Sequence, residues 1–248
     1  MSPAWTILRR RLAAERLIGT FIKLPALEAI DLAAERLDFV VVDLEHSQLD
    51  ELGARRLVRH AHAIGLPALV RLPLPDRERV NRILEAGAAG IQVPTVRRAA
   101  TLEAVRAAMR YAPAGERSIS LAQTGAGYGS TPLREFLDGQ DAGPLLVAQI
   151  ETATTDDPLE RIAAARPDVL FVGALDLTVD LEHDAERLRT RVGEIASAAA
   201  TAGIPLGGAG IDDEALRYDL LGSDVALLRA GLGRALEERR KHVRGQLE

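Results

Sequence analysis

The sequence predicts an α/β protein of the (β/α)8 TIM-barrel class, and three observations carry that expectation. Eight short β-rich runs alternate along the chain with Ala/Leu/Arg/Glu stretches of helical period. The chain has 248 residues, close to the roughly 250 that eight βα units need. Its apolar residues are 47 % of the total but its aromatics only 3 %, so the core is aliphatic, as suits helices packed on buried parallel strands. A doubly wound open sheet is the structural alternative. It lacks support because no strand–GxGxxG–helix opening stands near the N-terminus.

The opening "MSPAWTILRRRLAAERLIGT" has no unbroken apolar segment and reads as an amphipathic leading helix. The first strand is "TFIKL" (Thr20 to Leu24), the second "FVVVDL" from Phe39, the third "PALVRL" from Pro67, and the fourth "GIQVP" from Gly90. Helical patterns such as "LDELGARRLVRHAHAI" and "DRERVNRILEAGA" lie between them. A longer irregular stretch from Tyr111 to Leu133 follows, with Gly125, Gly127 and Gly129. Those glycines neither follow a strand nor open a helix, so a mobile loop over a site is expected rather than a dinucleotide fingerprint. The fifth strand is "LLVAQIE" from Leu145, the sixth "DVLFVG" from Asp168, and the seventh "IPLGGAG" from Ile204. "DDEALRYDLLGS" then reads as a helix, "VALLRAG" from Val225 as the eighth strand, and "RALEERRKHVRGQLE" as a charged helical arm. No linker or low-complexity tract divides the chain, so residues 1–248 are expected to form one barrel domain with a leading helix and a C-terminal arm.

Composition excludes several functions. A formal charge of −5 with few aromatics argues against nucleic acid, which calls for basic patches and stacking platforms. The absence of cysteine excludes disulfides and thiolate metal sites. No segment approaches the roughly 20 consecutive apolar residues of a membrane span. A soluble, cytoplasmic protein without membrane or nucleic-acid partners is expected.

In a barrel of this class, chemistry sits at the C-terminal ends of the strands. In order, those ends carry Lys23, the group Asp43, Glu45 and His46, then Arg71, Pro94, Glu151, Asp176, the "GGAG" of Gly207 to Gly210, and Arg229. One polar strand end means little, since chains turn polar where they leave a core. Convergence of several points to a site. Glu151 and Asp176 end neighbouring strands, and two carboxylates with open positions suit Mg²⁺, Mn²⁺ or a similar hard cation. The alternative is that each caps a helix or pairs with arginine. His46 stands beside two carboxylates that could orient it as a general base, or it is a structural histidine. Arg71 offers a fixed fork of donors to a developing oxyanion, or it pairs with Asp43 or Glu45. Lys23 could in principle form a Schiff base. His60 and His62 fall two apart in a helical pattern, where side chains diverge, and form no metal site.

"DFVVVDLEHSQLD", "ALVRLP", "ILEAGAAGIQVPTVRRAATLEAVRAAMRYAPAGERSIS", "VAQIET" and "LFVGALDLTVDL" together resemble the HpcH/HpaI aldolase family. These are metal-dependent class II pyruvate aldolases of the phosphoenolpyruvate/pyruvate barrel superfamily. The resemblance runs from about Gly19 to the C-terminus, and "GTFIKLP" looks like the family's opening strand, whose lysine forms no Schiff base. It implies a divalent cofactor (Mg²⁺, Mn²⁺ or Co²⁺) on Glu151 and Asp176, with His46 as general base and Arg71 stabilising the enolate. It further implies that Gln149 contacts substrate and that the turn Gly173, Ala174, Leu175, Asp176 holds the pyruvate carboxylate. Glu85 falls where the family has an Asp that raises the basicity of the histidine, and Asp43 belongs to the same catalytic block. The implied reaction cleaves or forms 4-hydroxy-2-oxo acids from a 2-oxo acid and an aldehyde. The implied assembly is a homo-oligomer, a hexamer or trimer of dimers that exchanges the last helix.

The chain departs from the family at "GALDLT", where G-P-A-D-L-S is common, at Leu44 where Gly is frequent, and at Glu85, one methylene longer than Asp. Two rival functions remain. A citryl- or malyl-CoA-type lyase would use Arg97, Arg98 and "GGAG" for phosphates, and a silent barrel would serve only as a binding subunit.

Overall fold

The computed structural model describes residues 3–140 and 143–245. Eight parallel strands close into a barrel in sequence order, β8 returning to β1. They are β1 (Leu17–Ile22), β2 (Phe39–Asp43), β3 (Ala68–Arg71), β4 (Gly90–Val93), β5 (Leu145–Ile150), β6 (Val169–Val172), β7 (Leu206–Ala209) and β8 (Leu216–Ser223). The helices are α1 (Ala4–Leu12), α2 (Leu27–Ala34), α3 (Glu51–Ala63), α4 (Arg77–Glu85), α5 (Ala99–Met109), α6 (Leu133–Asp138), α7 (Leu159–Ala164), α8 (Ala174–Asp180), α9 (Ala185–Ala202) and α10 (Asp224–Gly245).

Strand alternation sorts the apolar residues into two layers. Val40, Val42, Val70, Ile91, Leu146, Ala148 and Leu170 pack outward against buried helix residues such as Leu57, Val80, Leu102 and Ile195. The barrel interior holds Phe21, Phe39, Val41, Leu69, Val147, Phe171, Tyr218 and Leu220. Three of the four phenylalanines lie there. A barrel lumen needs bulk from few side chains, and rings supply it. Gly19 admits the Phe39 ring, since a Cβ there would stand 2.6 Å from it. Trp5, Leu8 and Leu12 of α1 join the same interior cluster, so the leading helix plugs the N-terminal end. Asp50, Asp76 and Asp184 cap α3, α4 and α9 by accepting from backbone N–H groups of their first turns.

Two sequence expectations are corrected. The eighth strand is "LRYDLLGS", read from sequence as helix, while "VALLRAG" opens α10 and Arg229 stands on that helix, exposed, not at a strand end. The reason is periodicity: Leu216, Tyr218 and Leu220 are buried while Arg217 and Asp219 between them are not, a period of two that a short segment can share with a helical reading. β7 and β8 are therefore joined by residues 210–215 with no helix between them. The Tyr111–Leu133 stretch also differs from a free lid. It contains a 3-10 segment (Thr124–Gly129) and is pinned by buried Arg117 and Gln123. Its bonds run to α3 and α4, through Arg59 to the Tyr128 hydroxyl at 2.8 Å and Arg117 to Asn81 at 3.1 Å.

Candidate active site at the C-terminal end of the barrel

The polar strand ends follow from the inward alternation. Phe39, Val41 and Asp43 point into the barrel, as do Leu69 and Arg71, and Val147 with Gln149 after it. Asp43 and Arg71 are register partners on β2 and β3. Arg71 donates from Nε and Nη2 to the two Asp43 carboxylate oxygens, at 2.8 and 2.6 Å. Its guanidinium lies 4.4 Å from the centroid of Phe21, so it is fixed by a fork on one edge and a ring on one face. The Lys23 ammonium approaches the same carboxylate at 3.4 Å. Burial pushes the Asp43 carboxyl upward, but Arg71 and the Glu45 and His46 N–H groups outweigh it and hold its pKa below the ordinary value.

With one edge spent on Asp43, Arg71 turns Nη1 toward Glu45, 3.2 Å from Oε2. That oxygen is buried and accepts no hydrogen bond. Burial raises the Glu45 pKa; Arg71 opposes this, and the charge of Glu151 adds to it. Glu45 thus pairs with Arg71 and feels the charge of Glu151. His46 is exposed, and its Nε2 lies 3.8 Å from the same Glu45 oxygen. Glu45 is the carboxylate beside the imidazole, because Asp43 is committed to Arg71. The structure does not bring Glu85 to His46. Glu85 ends α4, where it accepts from Asn81 at 3.2 Å and faces Arg117.

Glu151 follows β5 and is 6 % exposed. Its Oε1 accepts from both the backbone N–H and the hydroxyl of Thr95, at 2.6 Å each. Its Oε2 accepts from Gln149 Nε2. Gly173 abuts this carboxylate: a Cβ there would stand 2.7 Å from Oε2. The Gly173 N–H is spent on Ile150 O at 2.9 Å, which corrects the expectation that it holds a substrate carboxylate. The amides of Ala174, Leu175 and Asp176 open α8 and have no partner within their own helix. Leu175 and Asp176 are exposed there.

These residues fit a divalent cation. Glu151 keeps a second lone pair on Oε2, Gly173 lets this carboxylate lie close by carrying no Cβ, and Asp176 lies in the first turn of the adjoining α8. Among the described residues no three His, Cys, Asp or Glu side chains group as a ligand set, so any ion would keep positions for water and substrate. The features invoked for a nucleotide-like ligand are otherwise engaged. Arg97 and Arg98 both bind Asp156 at 2.7 Å. Gly207 and Gly208 make room for the Tyr218 and Ile211 side chains and form no open cradle. A cleft of about 700 Å³ between α1, α7 and α9 lies at the opposite end, where Arg9 and Asp168 pair at 2.7 Å.

Thr95, Gln92 and Tyr218 were not singled out as site residues from sequence, and Glu45 was read there only as one of the two carboxylates beside His46.

A family model described as HpcH/HpaI aldolase/citrate lyase matches residues 21–221. A hydroxypyruvate/pyruvate aldolase of Paraburkholderia phytofirmans is 33 % identical over 234 residues, covering 84 % of this chain and 88 % of that protein. A 4-hydroxy-2-oxovalerate aldolase of Novosphingobium aromaticivorans is 35 % identical over 147 residues, 58 % of this chain and 55 % of that one. Among solved structures, an HpcH/HpaI aldolase/citrate lyase family protein of Burkholderia cenocepacia superposes with a TM-score of 0.85 at 27 % identity, covering 94 % of this chain and 99 % of that chain.

Proposed function

The chain belongs to the HpcH/HpaI aldolase/citrate lyase family, and from that premise we propose a divalent-metal-dependent pyruvate aldolase, a carbon–carbon lyase acting on 4-hydroxy-2-oxo acids. The observation that carries the reading is the contact of Glu45 with Arg71 at 3.2 Å, within the field of Glu151. It supports reading the acid–base group and Glu151 as parts of one site.

Glu151 and Asp176 are the residues that would hold Mg²⁺, Mn²⁺ or Co²⁺. A bound ion would supply Lewis-acid polarisation of the 2-oxo acid. Arg71, immobilised by Asp43 and Phe21, directs its remaining N–H groups at the oxygen that gains charge as the C3–C4 bond breaks. A donor that needs no reorganisation lowers the barrier most. His46 takes the C4 hydroxyl proton, through a water, as the aldehyde departs, and Glu45 stabilises the imidazolium that results. Gln149 uses its carbonyl and one N–H inside the protein, so its service to substrate is through its second N–H or through Glu151. The CoA-lyase alternative lacks support from Arg97, Arg98 and the glycines, for the reasons above.

The homo-oligomer, a hexamer or trimer of dimers, is part of the same proposal. α10 is a 22-residue helix whose main packing in its own chain is with β1 and β8. Leu228, Leu232 and Leu236 form an exposed stripe along it, and so long an amphipathic helix needs a surface to cover that stripe. A cytoplasmic site of action also belongs to the proposal; no helix among the described residues is long and apolar enough to cross a membrane.

A panel of 4-hydroxy-2-oxo acids, with released pyruvate coupled to lactate dehydrogenase, tests the reading. Pyruvate should appear with Mg²⁺, Mn²⁺ or Co²⁺ and not after EDTA stripping. Full activity of the stripped protein contradicts it.

A further inference from the structure

A row of buried polar groups runs beneath the site, and two of its members, Tyr218 and Gln92, are used by no step above. The Tyr218 hydroxyl donates to Gln92 Oε1 at 3.2 Å, and Gln92 Nε2 donates to Gln149 Oε1 at 2.6 Å. Gln149 Nε2 then donates to Glu151 Oε2. Tyr218 and Gln92 are wholly buried and Gln149 nearly so. The row crosses the lumen, since Tyr218 is on β8 and Gln92 on β4, opposite in the strand order. Phe39 lies 4.4 Å and Phe171 5.9 Å from the Tyr218 ring, holding the phenol in place.

Resting on the metal-site reading, we propose that Tyr218 and Gln92 are positioning residues that fix which lone pair Glu151 presents to a divalent cation. An ionised carboxylate only accepts. Gln149 must therefore turn its NH₂ toward Glu151, which leaves its carbonyl facing Gln92. Gln92 must in turn donate there, which leaves its own carbonyl facing Tyr218. That carbonyl is buried, so the phenol must donate to it. Burial also keeps the phenol protonated. Every bond in the row points one way, and each amide is locked by its neighbour. At the far end, the two Thr95 donors occupy Oε1 and Gln149 occupies one side of Oε2. One lone pair of Oε2 remains, on a carboxylate whose rotation is blocked. Glu151 is thereby set to bind an ion through Oε2 alone.

Removing the Tyr218 hydroxyl leaves the Gln92 carbonyl buried without a donor. A rotated Gln92 amide turns its oxygen against Gln149, and the lock on Glu151 is lost. The test is Mn²⁺ binding to the EDTA-stripped protein, read from the electron paramagnetic resonance signal of free Mn²⁺. Relative to wild type, Tyr218→Phe and Gln92→Leu should each weaken Mn²⁺ about 10- to 100-fold, the usual effect of losing a group that orients a metal ligand. The double variant should bind no more weakly than Gln92→Leu, because Tyr218 acts only through Gln92. Unchanged Mn²⁺ affinity in Tyr218→Phe, or fully additive losses in the double variant, overturns the proposal. If Tyr218→Phe does not fold, an unchanged affinity in Gln92→Leu overturns it equally. A wild type that binds no Mn²⁺ overturns the metal-site reading itself, an outcome distinct from wild-type binding with indifferent variants.

Discussion

Asp43 and Arg71 form a buried pair held by two hydrogen bonds, and each is costly without the other. Asp43→Asn would leave a guanidinium in the barrel facing a neutral partner. It should lower unfolding free energy by about 3–5 kcal/mol, the usual cost of breaking a buried ion pair, measurable by urea denaturation. The pH dependence has a definite sign. Because the folded-state pKa of Asp43 lies below its ordinary 3.8, its ionisation stabilises the native state above that value. The benefit is lost as pH falls through the folded pKa. Wild type should lose stability on acidification below about pH 4, and Asp43→Asn should lack that part of the slope. Lys23 faces the same carboxylate at 3.4 Å, an ion-pair role that calls for no covalent chemistry on a substrate carbonyl. Borohydride trapping with pyruvate, read by mass spectrometry, should give no pyruvyl adduct at Lys23; a stoichiometric adduct would make Lys23 the electron sink. At this scale the sequence was informative where a polar residue ended an apolar run, as at Asp43, Arg71 and Glu151. It was silent on Gln92 and Tyr218, whose partners lie on strands distant in sequence and are brought together only by closure.

At the scale of the elements, the pattern of buried residues located seven strands and missed the eighth. "FVVVD" and "LLVAQI" are buried at every position and have no helical interpretation of comparable length. "LRYDLLGS" mixes charged and apolar residues, and the absence of a helix before it removed the spacing cue that marked the other strands. The apolar "VALLRAG" then served as a false strand because its leucines look buried in sequence, whereas Leu227 and Leu228, like Leu232 after them, are exposed on α10. That exposure carries a prediction. If α10 carries the proposed subunit contact, Leu228→Glu with Leu232→Glu should give smaller species than wild type in light scattering coupled to gel filtration, with the far-ultraviolet circular dichroism of the barrel retained. Unchanged mass would place the subunit interface elsewhere.

On the scale of the whole molecule, the barrel is plugged by α1 at one end and gathers its charged residues at the other. Lys23 and Arg71 stand there with the carboxylates of Asp43, Glu45, Glu151 and Asp176. Carboxylates outnumber the fixed cations, a balance suited to a divalent ion and an anionic 2-oxo acid together. The strand-to-helix rhythm made this end legible from sequence. The order of contacts within it was not, since a carboxylate next to His46 in sequence could serve the histidine, the arginine or the metal. The central claim is that this site stabilises the enolate of pyruvate, and enolisation can be observed without knowing the aldehyde. In D₂O with Mg²⁺ or Mn²⁺, wild type should wash deuterium into the pyruvate methyl group, followed by proton NMR. His46→Ala should slow the exchange by about 10²–10⁴-fold and Arg71→Ala by about 10²–10³-fold. Exchange by wild type no faster than with the metal ion in buffer would contradict the account.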